Sequence, residues 1–310
     1  FCEVHKLPIF CERPGVGGFH WEEYNSRRHP FGSLAWRTIG DVYVAKDSAK
    51  NGLELSYDSL LRGTNGLMHR RKVLSKYLDI PVLSPVDGAD IVTTIDVGMQ
   101  DLAERALIDE LKLVNGEMGV AILMEVKTGD VKAIVNMQRA DDGEYYEMVN
   151  NAISHRCEPG SVFKTASFLV AFDDGVIDTT MTINTGCGVM EMHGRAMKDH
   201  NWRRGGYGTI NVARALEVSS NIGVSYVIDK FYGTNPTKYV QGLYRVGIHE
   251  DLKLPLVGYH PPYIRMPDTK TQDRAKYWSK TTLPWMSIGY ETQIAPINTV
   301  AFYNAIANKR

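Results

Sequence analysis

Two residues three apart, Ser161 and Lys164, offer the first chemistry in the chain. They belong to Glu158-Pro159-Gly160-Ser161-Val162-Phe163-Lys164, which runs directly into the apolar stretch Thr165 to Phe172. Pro159 and Gly160 end whatever precedes them, and Gly175 is a natural stop, so the pattern predicts a short buried helix with Ser161 at its amino end. Side chains three apart on a helix share a face, which puts the hydroxyl and the amine within hydrogen-bonding reach. A serine hydroxyl is a weak nucleophile alone, but a lysine in apolar surroundings loses part of its preference for charge and can take the proton. Free N–H groups and the positive dipole end of the first turn would favour a developing oxyanion. The pair therefore reads as a Ser/Lys acylation centre. Ser-x-x-Lys also arises by chance in a chain of this length, and it is the Pro-Gly before it and the buried helix after it that favour the chemical reading.

A second candidate is Ser219-Ser220-Asn221, at the break between two expected helices. A hydroxyl and a carboxamide can point out of the packed interior there. The same residue types also make ordinary helix caps.

The elements that must hold these groups follow from the patterning. Residues 1 to about 35 are Gly-, Pro- and Arg-rich and read as loops or an extended arm. Leu53, Tyr57 and Leu60/Leu61 recur at helical spacing, closed by Gly63. Short extended pieces lead to Ile91-Val92-Thr93-Thr94-Ile95, after which Asp96 caps a helix to about Val114 with Ala103, Leu107, Leu111 and Val114 as its stripe. Val120 to Val126 and Val131 to Met137 form a β-hairpin around Lys127-Thr128-Gly129-Asp130. Met181 to Gly208 reads as a long surface loop with short strands, followed by helices from Ile210 to Glu217 and from Ile222 to Phe231. Leu252 to Lys280 reads as loop, Pro284 to Tyr290 as a turn, and Pro296 to Asn308 as a last helix.

Composition narrows the classes. The 310 residues suffice for two domains, and 44% hydrophobic with 23% charged residues is ordinary for a globular protein. A formal net charge of -1 with dispersed Lys and Arg gives no nucleic-acid or polybasic membrane surface. No apolar run approaches a membrane span. Because the chain opens at Phe1, an upstream piece is expected. Cys2, Cys11, Cys157 and Cys187 allow one or two disulfides in an oxidising compartment but have no zinc-finger spacing.

Ser-x-x-Lys opening a buried helix, then Ser-x-Asn between later helices, is the order found in penicilloyl-serine transferases. The chain resembles a class B penicillin-binding protein, a monofunctional peptidoglycan D,D-transpeptidase. The resemblance extends over most of its length. Gly32 to Gly40 and Gly52 to Asp58 with Leu61-Arg62-Gly63 resemble the non-catalytic pedestal, and Thr93-Thr94-Ile95-Asp96 with Gln100 resembles the helix leading into the transpeptidase domain. Glu158 to Lys164, Ser219 to Asn221, Ser287 to Tyr290, Pro296 and Ala305 to Asn308 resemble the catalytic domain. Arg37-Thr38-Ile39-Gly40 is more similar to the division type than to the elongation type, and several segments resemble Bacteroidetes members.

The resemblance implies an α+β penicilloyl-serine transferase (β-lactamase/transpeptidase-like) fold, with a pedestal over 1–95, a connecting helix over 96–117 and a transpeptidase domain over 118–310. It implies that Ser161 attacks the D-Ala-D-Ala carbonyl of a stem peptide with Lys164 as general base. Ser219 would relay a proton to the leaving amine, Asn221 would orient Lys164 and bind the substrate's peptide group, and the Ser161 N–H would serve the oxyanion. β-Lactams would stall at the acyl stage. Neither a cofactor nor a metal is implied; some elongation-type relatives bind zinc near the loop that holds Cys187, His193 and His200, but the ligand pattern does not match. Implied partners are a SEDS-family wall polymerase and division proteins, with an N-terminal anchor holding the domain in the periplasm. The family's third motif, Lys-Ser/Thr-Gly on a strand, should follow Ser-x-Asn. The only Lys-Thr-Gly here is Lys127-Thr128-Gly129, which precedes Ser161, so the sequence is expected to be C-terminally incomplete and this stretch inactive by itself. A D,D-carboxypeptidase, a β-lactamase or a non-catalytic scaffold of the wall machinery are the competing readings.

Overall fold

The computed structural model describes residues 6–8, 28–43, 48–73, 76–267 and 277–309. The chain divides into two units, Phe1–Ile91 and Val92–Arg310. Most of the expected N-terminal arm, with Cys2 and Cys11, lies outside the described residues.

The first unit has α1 (Trp36–Ile39), β1 (Val42–Tyr43), β2 (Ser48–Ala49), α2 (Gly52–Ser56), α3 (Asp58–Leu61), β3 (Leu67–Val73) and β4 (Lys76–Leu83). The expected helix around Leu53 and Tyr57 is in fact two, broken at Tyr57. Leu60 is exposed, so the stripe read from spacing is not a continuous buried face.

The second unit opens with α4 (Val97–Val114), β5 (Met118–Met124), β6 (Val131–Arg139), β7 (Tyr145–Tyr146) and α5 (Asn151–Ser154). Asp96 Oδ1 accepts from Met99 N–H at 2.9 Å, and Asn115 ends α4 in the left-handed region, as its residue type permits. The packed face is Ala103, Leu107, Ile108 and Leu111, whereas Val114 is exposed. Buried Gln100 replaces a missing strand neighbour: its Nε2 donates to Ile134 O and its Oε1 accepts from Ile134 N–H. Ile91 to Ile95 form no strand, but Thr94 and Asp96 hydrogen-bond the backbone of Val131 and Lys132.

The antiparallel order β5-β6-β7 lets β6 bury both faces. Val135 and Met137 pack with Leu111 of α4, while Ile134 packs with Ala152, Ile153 and Ile297. The result is three layers, with α4 on one side of the sheet and α5 with α11 (Pro296–Ala307) on the other.

The helical lobe follows: a 3-10 turn (Gly160–Phe163), α6 (Lys164–Asp173), β8 (Thr182–Asn184), β9 (Val189–Met192), β10 (Arg195–Lys198), β11 (Thr209–Asn211), α7 (Val212–Glu217), α8 (Asn221–Tyr232), α9 (Pro236–Arg245), β12 (Tyr263–Ile264), α10 (Thr282–Met286) and β13 (Thr292–Gln293). Phe168, Val170, Val227, Tyr239, Leu243 and Met286 form its core. Ile210 is in a strand paired with Ile183, not in the helix that begins at Val212. The segment read as a surface loop buries Ile183, Met192 and Met197. Among the described residues no helix is long and apolar enough to cross a membrane.

Candidate active site

The segment ahead of Ser161 is held mainly by backbone, with one carboxylate added. Cys157 and Ile294 exchange N–H···O=C bonds at 3.3 and 3.0 Å, Glu158 Oε1 accepts from Glu291 N–H at 2.8 Å, and Gly160 N–H donates to Gly289 O at 3.1 Å. Gly160 and Gly289 both have positive φ, and a Cβ on Gly289 would lie 2.0 Å from Gly160 O, so only glycine permits this approach. On the other side, Tyr303 of α11 donates to Val162 O, and its hydroxyl lies 2.8 Å from Thr165 Oγ1.

Ser161 lies in the 3-10 turn and Lys164 is the first residue of α6. The serine is exposed, and its N–H has no backbone acceptor among the described residues. Val162 beside it lines an open, mostly apolar groove of about 910 Å³ with Ile122, Met124 and Tyr303. Lys164 is 1% exposed. The expected Ser161–Lys164 hydrogen bond is not formed: every side-chain bond of Lys164 runs to the second motif.

That motif sits where α7 stops after Glu217 and the chain turns into α8. Ser219 takes φ 53°, a left-handed conformation that costs a non-glycine residue about 1 kcal/mol or more. This conformation lets both its oxygens meet the amine: Lys164 Nζ donates to Ser219 O at 2.6 Å and lies 3.0 Å from Ser219 Oγ. Nζ also donates to Asn221 Oδ1 at 2.7 Å, and Asn221 Nδ2 donates to Lys198 O at 2.7 Å, which fixes the amide's orientation. The helix cap is real but belongs to the middle residue, Ser220, whose Oγ accepts from Gly223 N–H at 2.9 Å. Ser219 and Asn221, both half-buried, are left to serve the amine.

Burial pushes Lys164 down from the ordinary lysine value of 10.5 to about 8, against an upward pull from the charge of Asp199. At pH 7 about one molecule in ten then holds a neutral amine, roughly 300-fold more than for an ordinary lysine. A neutral amine keeps two donors, one each for Ser219 O and Asn221 Oδ1, and one lone pair for a hydroxyl.

Sequence reasoning missed Asp199, which lies in the stretch read as surface loop yet is 1% exposed. Ser220 Oγ donates to both its oxygens, at 3.0 and 2.9 Å, and Ile222 N–H donates at 3.0 Å. Polarity near Asp199 gave no signal of burial. The other residues singled out in this stretch are used separately: His193 bonds Asp229, His200 bonds Tyr207, and Cys187 is a free, exposed thiol. No group of three His, Cys, Asp or Glu among the described residues could hold a metal. Lys127-Thr128-Gly129 forms the turn between β5 and β6, where Asn308 Nδ2 donates to Lys127 O.

The chain is similar in sequence and in fold to known proteins. The chain is 26% identical over 304 residues to a Pseudomonas aeruginosa protein named "Probable peptidoglycan D,D-transpeptidase PbpC", covering 95% of this chain and 51% of that protein. It is 25% identical over 307 residues to Escherichia coli peptidoglycan D,D-transpeptidase FtsI, covering 96% of this chain and 49% of that one. The chain thus spans about half the length of the curated relatives it matches. Its fold is similar to the crystal structure of Mycobacterium tuberculosis penicillin binding protein 3 complexed with ampicillin, with a TM-score of 0.72, 23% identity, and coverage of 91% of this chain and 57% of that one. Residues 119–310, which carry the whole constellation built around Lys164, match the penicillin binding protein transpeptidase domain, and the chain belongs to that family.

Proposed function

We propose that this chain carries the acylation centre of a class B peptidoglycan D,D-transpeptidase that cross-links stem peptides during septal wall synthesis. The observation that supports it most is the buried Lys164 amine, held by Ser219 and Asn221 with no carboxylate in contact among the described residues. Such an amine can exist neutral near physiological pH.

On this reading Ser161 Oγ bonds to the penultimate D-Ala carbonyl carbon, and its proton passes to Lys164 Nζ. The carbonyl oxygen, now an oxyanion, takes the Ser161 N–H as one donor. The C–N bond to the terminal D-alanine then breaks. Its nitrogen receives a proton from Ser219 Oγ, which Lys164 replenishes across their 3.0 Å contact. An amine of a neighbouring stem peptide next displaces Ser161 Oγ from the acyl carbon, forming the cross-link and returning the proton to the serine. Asn221 holds the lysine and offers its amide to the substrate's peptide group.

A β-lactam presents the same acylatable carbonyl, and the ampicillin complex of the mycobacterial relative supports it as a ligand here. Residues 1–95 serve as pedestal, 96–117 as connecting helix and 118–310 as transpeptidase domain. The substrate places the domain in the periplasm, tethered by an N-terminal anchor and working with a SEDS-family polymerase and division proteins. The FtsI relatives and Arg37-Thr38-Ile39-Gly40 support the septal assignment.

A fluorescent penicillin tests the reading: it attaches covalently to the full-length protein and not to its Ser161→Ala variant. No labelling of the full-length protein would favour a non-catalytic scaffold, and rapid release of the label would favour a hydrolase.

A further inference from the structure

Asp199 is used by nothing in the steps above, yet its carboxylate bonds two residues of the turn that holds Lys164. Its two oxygens accept from Ser220 Oγ and Ile222 N–H, while the carbonyl of its neighbour Lys198 accepts from Asn221. One short segment thus grips the middle and the end of Ser219-Ser220-Asn221.

A charge is not needed for that grip. The amide oxygen of an asparagine could accept the same two protons, and burying a carboxylate without a contacting cation costs several kcal/mol. Asp199 has no such cation within salt-bridge distance among the described residues. Its charge is partly balanced by the amino end of α8, through Ile222 N–H.

Other charged groups on the surrounding elements are engaged elsewhere. Lys198 lies over the Trp202 ring at 4.5 Å, His200 bonds Tyr207, and Arg214 and Glu217 of α7 pair with each other. Asp229 and Lys230 sit near the far end of α8, and α10 carries no charged residue. Asp199 is the buried charge bonded to Ser220 and Ile222, the residues that flank Asn221, and Asn221 in turn holds Lys164.

We propose that Asp199 is a positioning residue: bonded to Ser220 and Ile222, its buried carboxylate holds the turn that grips Lys164, and its negative charge, beyond those hydrogen bonds, tunes the pH at which the acylation centre works. The proposal rests on the transpeptidase reading for its functional meaning. Chemically the charge has a use. Burial alone makes an amine neutral but weakly basic, whereas a carboxylate one residue layer away stabilises the ammonium that forms when Ser161 gives up its proton.

The test is the Asp199→Asn protein, which keeps the acceptors and removes the charge. The titration midpoint of Lys164 is read from the 13Cε signal of labelled lysine, assigned by loss in Lys164→Arg, beside the pH profile of penicillin acylation. The midpoint should fall by about one pH unit, with the acid limb of acylation moving in step. A folded Asp199→Asn protein with an unmoved midpoint overturns the proposal. If the full-length protein takes no penicillin, the transpeptidase reading fails, and the NMR midpoint still decides the role of the charge. Should Asp199→Asn fail to fold, Ser220→Ala keeps the carboxylate and drops its hydroxyl partner. The Lys164 midpoint should then stay within about 0.3 unit. A fall as large as that expected for charge removal would show that hydrogen bonding alone sets it, and would overturn the proposal.

Discussion

Lys132 and Lys164 lie in the same unit and do opposite things. Lys132, on β6 just after the Lys127-Thr128-Gly129 turn, is partly exposed and sits 3.1 Å from both Asp130 and Glu125, whose hydrogen bonds hold its amine above the ordinary lysine range. Lys164 is buried among neutral acceptors and is pushed down to about 8. A lysine with carboxylates at hand stays an ammonium and ties down a turn. A lysine offered only a carbonyl, a hydroxyl and an amide can let its proton go, and that difference separates a structural cation from a base.

The largest effect expected from breaking this contrast is at Lys164 itself. Lys164→Met should slow penicillin acylation by about 10³-fold, measured as the second-order rate of labelling. It should also change how stability depends on pH. Because the folded-state value lies below the unfolded one, the unfolded chain binds more protons between about 8 and 10.5, so this group's contribution to stability rises with pH across that window. The native-minus-variant stability should therefore grow by about 3 kcal/mol from pH 7 to 10.5 in urea unfolding. A flat difference would show that the amine is not desolvated.

Gly289→Ala is next. The new methyl collides with Gly160 O and the residue must hold φ 89°, so a loss of about 3 kcal/mol and at least a tenfold slower acylation are expected. Asn221→Ala removes one acceptor from Lys164 and strands Lys198 O; acylation should fall by about 10- to 100-fold while near-UV circular dichroism stays native. The smallest effect is at the other lysine. Lys132→Ala should leave labelling unchanged and shift Tm by only about 1 °C, less still in high salt.

The contrast also shows what the sequence could carry. Lys164 and Asn221 were legible because short-range signals framed them: Pro159-Gly160 before a buried run, and Ser219-Ser220-Asn221 between two helices. The Asp96 cap of α4 and the β5–β6 hairpin were legible for the same reason. Features decided by distant partners were not. Ile210 looks helical until its strand pairing with Ile183 is known. Helix α9 falls outside the sequence-based expectations, although Asn235-Pro236 caps it and Tyr239, Val240 and Leu243 face the core. Asp199 reads as a solvated acid because nothing local says that Ser220, 21 residues later, will cover it. The absent Ser161–Lys164 bond is of this kind too, since spacing put the two on one face but the second motif claimed the amine.

On the proposed transpeptidase reading, the contact of Gly160 with Gly289 bears on drug resistance. Where Gly160 meets Gly289, the floor beside Ser161 is peptide backbone laid on peptide backbone. Should the proposed transpeptidase be placed under antibiotic selection, substitutions around the site would be open to it, but a side chain at Gly289 would not, so an inhibitor that leans on this contact would be the hardest to escape.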